Sequence, residues 1–307
     1  MATETARPVP GTIGAAIDAA AAVLARRREV VDPRRDAREL LASLMDRPRL
    51  WSVLNADAPL AESDLIALLG AAERRARGAP LEYATGRASF RHLVLVVDER
   101  VLIPRPETEL LVDIALEHRG GGVAVDACTG SGCVALALAQ EGEFSRVIAT
   151  DVSLDALAVA GTNLARLRAS LRAPVEFRSG SLLAPVRERG ERVQVVVGNP
   201  PYVAESEATT LPPSVRDWEP GAALFSAENG LAHIRALARE AAAVLDAGGL
   251  LAIEVDARRA SLAAELVAAD ARYRDVAVRL DLAGRERFVV ARRAVAASFD
   301  ARTGRGR

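Results

Sequence analysis

From about residue 106 the chain alternates strand-like and helix-like segments, and that order leaves few folds open. A helix-patterned ETELLVDIALEHR precedes the β-branched run VAVDA. Then come helix CVALALAQ, strand RVIATD, helix LDALAVAGTNLARLR, strands VEFRS and VQVVVGN, an irregular stretch, helix GLAHIRALAREAAAVLD and strand LLAIEV. In the helical segments apolar residues recur every three or four positions. The strands are short continuous apolar runs, as expected of strands buried on both faces. Such alternation implies a parallel sheet with helices on each side. The end breaks the rule: DVAVRLDLAGRERFVVAR reads as two strands joined by an Ala-Gly turn, an antiparallel hairpin.

The region before this core has a different character. Residues 1–75 read as helices, with Asp32-Pro33 and Glu62-Ser63-Asp64 as helix starts. They carry no chemistry of their own, and a substrate-docking domain and a structural cap fit them equally well. Residues 76–104, within which EYATGRASFRHLVLVVDERVLIP has β-branched runs broken by a Gly-Arg turn signal, read as a β-hairpin linker. The parallel core then spans 105–293, and 294–307 read as a disordered tail.

Composition narrows the function. A chain of 307 residues, half of them hydrophobic, can bury a full core and suggests two domains. A net charge of −1 provides no broad electrostatic footprint for nucleic acid, so no direct nucleic-acid partner is expected. Every basic residue besides histidine is arginine, which excludes a catalytic lysine or Schiff base. Cys128 and Cys133 are not a C-x-x-C pair and the three histidines are scattered, so neither a metal site nor a disulfide framework is expected. No apolar run reaches membrane-spanning length and no signal-peptide pattern opens the chain; the expected address is the cytoplasm, with no membrane partner.

The stretch VAVDACTGSGCVA runs from strand to helix through Gly130 and Gly132. Glycines at this junction let the backbone approach a ligand at the helix N-terminus. With Ala135 the stretch even fits the loose dinucleotide form G-x-G-x-x-A, so a nicotinamide dehydrogenase stays open. Asp151 closes the next strand, where a carboxylate can accept from both ribose hydroxyls of either cofactor. Asp126, before the loop, separates the two: a carboxylate there repels a pyrophosphate and favours the ammonium and sulfonium of S-adenosyl-L-methionine. The plainer role for Asp126 is as an acceptor bracing the loop's N–H groups. Ser131 is not a nucleophile elbow, because Thr129 stands where G-x-S-x-G needs its first glycine. A parallel sheet finished by an antiparallel hairpin is the pattern of the class I S-adenosylmethionine-dependent methyltransferases, a Rossmann-like α/β fold.

VVVGNPPYV, residues 195–203, ends a strand in Asn199-Pro200-Pro201-Tyr202. Neither proline has an N–H for a sheet ladder, so the chain leaves the sheet at Asn199. VQVVVGN is the fourth strand, and the first and fourth strands flank the point where strand order reverses, which is where such sheets bind ligands. Asn199 is thereby expected beside Gly130 and Gly132. Its side-chain oxygen and the Pro200 carbonyl are two rigid acceptors for an NH2 group, and Tyr202 can stack on the planar group that carries it.

The chain resembles the HemK (PrmC) family, which methylates the N5 amide of glutamine in peptide-chain release factors. The likeness runs from about 33 to 293 and rests on LIPRPETE (102–109), EYATG (82–86) and VRDWEPGAALFSAENGL (215–231), together with the Asn-Pro-Pro-Tyr quartet. It implies that Cys128, Thr129, Gly130, Ser131 and Gly132 line the methionine end of the cofactor, that Asp151 holds its ribose, and that Asn199, Pro200, Pro201 and Tyr202 hold the substrate glutamine. Two positions depart from the family pattern: Cys128 stands where a glycine is usual, and Gly180-Ser181 where an acidic residue is common. Three rivals remain at this stage: a glutamine methyltransferase of a ribosomal protein, an amino-methyltransferase of a nucleic-acid base, and a non-catalytic S-adenosylmethionine-binding module.

Overall fold

A computed structural model describes residues 11–27, 29–118 and 121–295. The tail expected at 294–307 lies outside the described residues except for its first two positions. Among the described residues the backbone divides into two compact units: those within 11–88, 96–99 and 212–218 form one, and those within 89–95, 100–211 and 219–295 the other.

The first unit is helical. Helices α1 (Ile13–Leu24), α2 (Pro33–Met45) and α3 (Glu62–Ala76) bury Leu24, Leu40, Leu41 and Leu68 completely. Each such leucine contributes about 1.5–3 kcal/mol on leaving water. The Asp32 side chain caps α2 by accepting from the Arg35 N–H at 3.0 Å, with Pro33 in the first turn. EYATG is not the start of a hairpin. Residues Leu81–Thr85 form a helical turn, closed by Gly86 in the left-handed conformation, and the Arg74 guanidinium donates to the Ala84 carbonyl. The Gly-Arg signal therefore marks a helix end. The hairpin itself pairs β1 (Arg87–Phe90) with β2 (Leu93–Val96), turning at Arg91 and His92.

The second unit is built on a seven-stranded sheet. Its strands are β3 (Val123–Ala127), β4 (Arg146–Asp151), β5 (Val175–Ser179), β6 (Val193–Gly198), β7 (Leu245–Glu254), β8 (Tyr273–Leu280) and β9 (Glu286–Arg293). Their order is β5-β4-β3-β6-β7-β9-β8, parallel from β5 to β7 and antiparallel beyond. The last strand thus inserts between β7 and β8. Helices α4 (Glu109–Leu116), α5 (Cys133–Glu141), α6 (Leu154–Leu167), α7 (Ala232–Val244) and α8 (Ala260–Ala268) complete the unit. Strand order reverses between β3 and β6, whose register pairs Ala127 with Gly198. The two segments that leave the sheet there, 128–132 and 199–202, start side by side.

Residues 89–95 of the hairpin, Arg91 among them, belong to this second unit, where Arg91 is held by α4 and α5. Its N–H donates to Glu109, and its guanidinium forks onto Glu141 at 2.7 Å twice and meets Asp113 at 2.8 Å. Those carboxylates hold its pKa well above the ordinary value. Among the described residues no helix is long and apolar enough to cross a membrane.

Candidate active site

The glycine loop is shaped by backbone conformations that side chains resist. Cys128, Gly130 and Gly132 all have positive φ, at +61°, +55° and +83°. Gly132 opens α5 and offers no side chain to cap it. Asp126 supplies the missing acceptor: its Oδ2 takes the Ala135 N–H at 3.1 Å and the Thr129 hydroxyl at 2.6 Å. The Asn163 amide donates to the Ser131 carbonyl at 3.0 Å, and the Thr129 N–H to the Thr150 carbonyl at 3.0 Å. Asp151 holds the loop from the other side, accepting from the Gly130 N–H and the Ser153 N–H at 2.9 Å each.

A cavity of about 210 Å³ opens beside this loop. Of the residues singled out in the sequence, it is lined by Cys128, Gly130, Asp151, Asn199 and Pro201. A Cβ built on Gly130 would meet nothing within 4 Å. Asp126, by contrast, is 1% exposed and outside the lining. Its carboxylate braces the loop, accepting from the helix N-terminus and from the Thr129 hydroxyl. Thr129, Ser131 and Gly132 are likewise buried and outside the lining. They shape the loop instead. At 180–181, a Cβ on Gly180 would stand 2.5 Å from the Pro185 ring, and Ser181 lines the cavity.

The other walls were not legible from spacing. Arg100, Val101 and Leu102 come from the segment just before PRPE, Pro220, Ala222 and Ala223 from the segment after the quartet, and His233 from α7. The Arg105 guanidinium joins the first two segments by meeting both oxygens of Glu219 at 2.6 and 2.7 Å. The Val203 N–H donates to the Leu224 carbonyl at 2.9 Å, holding the second segment against the chain that follows the quartet.

At the quartet, the Asn199 amide nitrogen donates to Thr108 Oγ1 at 3.2 Å. Asn199 Oδ1 and the Pro200 carbonyl accept no hydrogen bond among the described residues. Pro200 is buried, and the Tyr202 ring packs against the core with its hydroxyl 3.5 Å from Glu254. Neither of these two residues lines the cavity.

Burial dominates the electrostatics. It pushes the Asp126 carboxyl up to about 7 against the hydrogen bonds from Thr129 and Ala135. Glu254, also buried, is pushed up to about 7, with Thr108 and Arg287 pulling the other way. Burial, then the Asp151 and Asp126 charges, push the Cys128 thiol far up, so it is no thiolate nucleophile at neutral pH.

Comparison with known proteins decides the family. Residues 15–86 match the model of the PrmC N-terminal domain, and 106–212 that of the methyltransferase small domain. A release factor glutamine methyltransferase of Mycolicibacterium smegmatis is 41% identical over 285 residues, covering 91% of this chain and 96% of that one. Its Streptomyces coelicolor counterpart is 38% identical over 273 residues, covering 87% and 93%. The chain belongs to the release factor glutamine methyltransferase family. The fold agrees: a methyltransferase from Pyrococcus furiosus superposes with a TM-score of 0.51 at 18% identity, over 67% of this chain and 92% of that one.

As a release factor glutamine methyltransferase, the chain takes its methyl group from S-adenosylmethionine. The cavity suits that group. Asp151 puts a carboxylate, an acceptor of hydrogen bonds, on its wall, and the space beside Gly130 is open. The nicotinamide alternative falls with the family assignment.

Proposed function

We propose that this enzyme methylates the side-chain amide nitrogen, N5, of the glutamine in the Gly-Gly-Gln loop of peptide-chain release factors. The observation that carries this reading is the placement of Asn199. It leaves β6 directly beside the glycine loop, lines the cavity, and keeps Oδ1 and the neighbouring Pro200 carbonyl free to accept. The relatives of this chain are named release factor glutamine methyltransferases, which supports glutamine in a release factor as the substrate.

S-adenosylmethionine supplies an electrophilic methyl on a sulfonium that leaves as a neutral thioether. The protein's task is alignment. An amide nitrogen is a poor nucleophile, because its lone pair is delocalised into the carbonyl. Asn199 Oδ1 and the Pro200 carbonyl each take one amide hydrogen and aim the nitrogen into the cavity, while Pro201 stiffens the turn and Tyr202 supports the planar group. Cys128, Thr129, Gly130, Ser131 and Gly132 form the loop that receives the methionine end, braced by Asp126, and Asp151 accepts from the ribose. Such positioning supplies most of the acceleration a transfer of this kind needs. One amide proton is released as the methyl is gained.

The same reading assigns the helices of residues 1–75 to docking the release factor, makes nucleic acid no direct partner, and places the enzyme in the cytoplasm. Mapped cross-links to a bound release factor should fall on those helices; cross-links confined to 105–293 would refute the docking role.

The decisive test is mass spectrometry of a release factor incubated with enzyme and cofactor. The added methyl maps to the Gly-Gly-Gln glutamine. Asn199→Ala lowers turnover on the order of 100-fold, about 2.7 kcal/mol of barrier, with cofactor affinity unchanged. A methyl on another residue or on a nucleic-acid base, or transfer indifferent to Asn199→Ala, sinks the assignment.

A further inference from the structure

Asn199 is a carboxamide, and its two ends are nearly the same shape. Only one of them, Oδ1, can accept a substrate hydrogen; turned over, the side chain would present two donors to a donor. Something must hold it one way round.

We propose that Thr108 and Glu254 are positioning residues that fix which end of the Asn199 carboxamide faces the methyl-transfer site. The inference rests on the reading above, that Asn199 Oδ1 accepts from the substrate amide. Thr108 is 3% exposed and Glu254 1%, and their side chains meet at 2.7 Å between Oγ1 and Oε2. A carboxylate can only accept, so the hydroxyl's single proton is committed to Glu254. That leaves Thr108 Oγ1 with lone pairs alone for its other neighbour, the Asn199 amide at 3.2 Å. Asn199 must therefore donate through Nδ2, and Oδ1 is turned away from Thr108. The chain of three groups is polarised in one direction, and Glu254 sets that direction. Glu254 ends β7 and Thr108 precedes α4, so rigid elements carry both residues.

Protonation of Glu254 removes the constraint. A carboxylic acid can donate to Thr108, which is then free to donate to Asn199 and accept it the wrong way round. The groups acting on Glu254 are Thr108 and Glu107 from the turn before α4, the Tyr202 hydroxyl, Arg287 on β9 and the Cys133 thiol on α5. Burial outweighs the pull of Thr108, Arg287 and Tyr202 and leaves the carboxyl at about 7. At saturating cofactor, kcat should therefore fall as pH drops through about 7.

The test uses the full chain, a purified release factor and saturating S-adenosylmethionine. Thr108→Val lowers kcat about 10-fold with the cofactor dissociation constant unchanged, and it loses the acid limb because Glu254 no longer communicates with Asn199. Thr108→Ser keeps the hydroxyl and restores both kcat and the limb. Glu254→Gln, close to isosteric, also loses the limb and serves if Thr108→Val fails to fold. Wild-type kcat in Thr108→Val, or an acid limb that persists in both variants, overturns the proposal. The limb would then belong to another group, such as Asp126. Asn199→Ala, run alongside, separates the two failures. If Asn199→Ala loses turnover while Thr108→Val keeps the wild-type kcat, only the positioning role falls; if Asn199→Ala keeps the wild-type kcat, the acceptor role of Asn199 falls first.

Discussion

Ala127 on β3 stands in register with Gly198 on β6, and the two strands come so close that Gly198 has no room for a side chain. A Cβ there would lie 3.1 Å from the Ala127 carbonyl oxygen and 2.9 Å from a Leu237 methyl. The methyl can swing aside; the carbonyl, held in the ladder, cannot. Since Asn199 follows directly, any relief moves the acceptor.

Gly198→Ala is therefore expected to destabilise the fold by about 1–3 kcal/mol, the range for overpacking a tight core. It should also cut turnover roughly 10-fold by displacing Asn199, while cofactor affinity stays near its original value. Denaturant titration and single-turnover kinetics check both. Unchanged turnover in a destabilised protein would show that the quartet moves independently of β6.

Much of this geometry could be read from the sequence because parallel α/β sheets obey strict connection rules. The adjacency of β3 and β6, and hence of Gly130 and Asn199, follows from those rules once the strands are counted. The insertion of β9 between β7 and β8 does not follow, since a hairpin turn joins two strands without saying which one pairs with the rest of the sheet. Leu81–Thr85 reads as strand because Tyr83 and Thr85 favour extended backbone. A tertiary contact, Arg74 on the Ala84 carbonyl, and the Gly86 cap override that preference. Helix α8 has little signal, its buried face being only Ala260, Ala263 and Val267. Thr108 and Glu254 are separated by 146 positions, and no local spacing could reveal their contact.

Cys128 occupies the left-handed region at φ +61°, a conformation that glycine adopts far more readily than a residue with a side chain. A side chain in that conformation costs about 1–2 kcal/mol. Cys128→Gly should recover roughly 1 kcal/mol of stability, the remainder being lost with the thiol's packing against the core. Thermal melting of the two proteins would show the shift. A lower melting temperature for the glycine variant would mean that packing, rather than strain, decides at this position.

The Asp126 carboxyl predicts an unusual pH trend. Its folded pKa, about 7, lies above the unfolded value of about 3.9. Its contribution to stability is complete below about pH 4 and is lost as pH rises to about 7, where the folded protein must ionise a buried group. Asp126→Asn stays neutral throughout and keeps one oxygen for Thr129 and Ala135. The variant should gain stability relative to the parent as pH rises from 4 to 7, by up to about 1.4 kcal/mol per unit, and hold that gain above. Urea denaturation at pH 5 and pH 8, without cofactor, measures it. A gain that shrinks with rising pH would show that Asp126 is an ordinary ionised carboxylate.

The ion pair between Arg105 and Glu219 tests whether the cavity is held from a distance. Neither side chain lines the cavity, yet Arg105 follows one wall, Arg100 to Leu102, and Glu219 precedes another, Pro220 to Ala223. The Glu219 side chain is 1% exposed and that of Arg105 30%, so the carboxylate has far more to lose. Arg105→Ala should cost about 2 kcal/mol, the loss of charge-assisted hydrogen bonds at a half-open site. It should also raise the cofactor dissociation constant roughly 10-fold by loosening the two walls, with no contact to the ligand removed. Arg105→Ala and Glu219→Gln each remove one end of the same ion pair, so their combined cost should fall short of the sum of the two single costs. The double-mutant cycle would then show a coupling on the order of 1 kcal/mol. Additive costs, or wild-type cofactor affinity in Arg105→Ala, would mean that each wall is held by its own backbone.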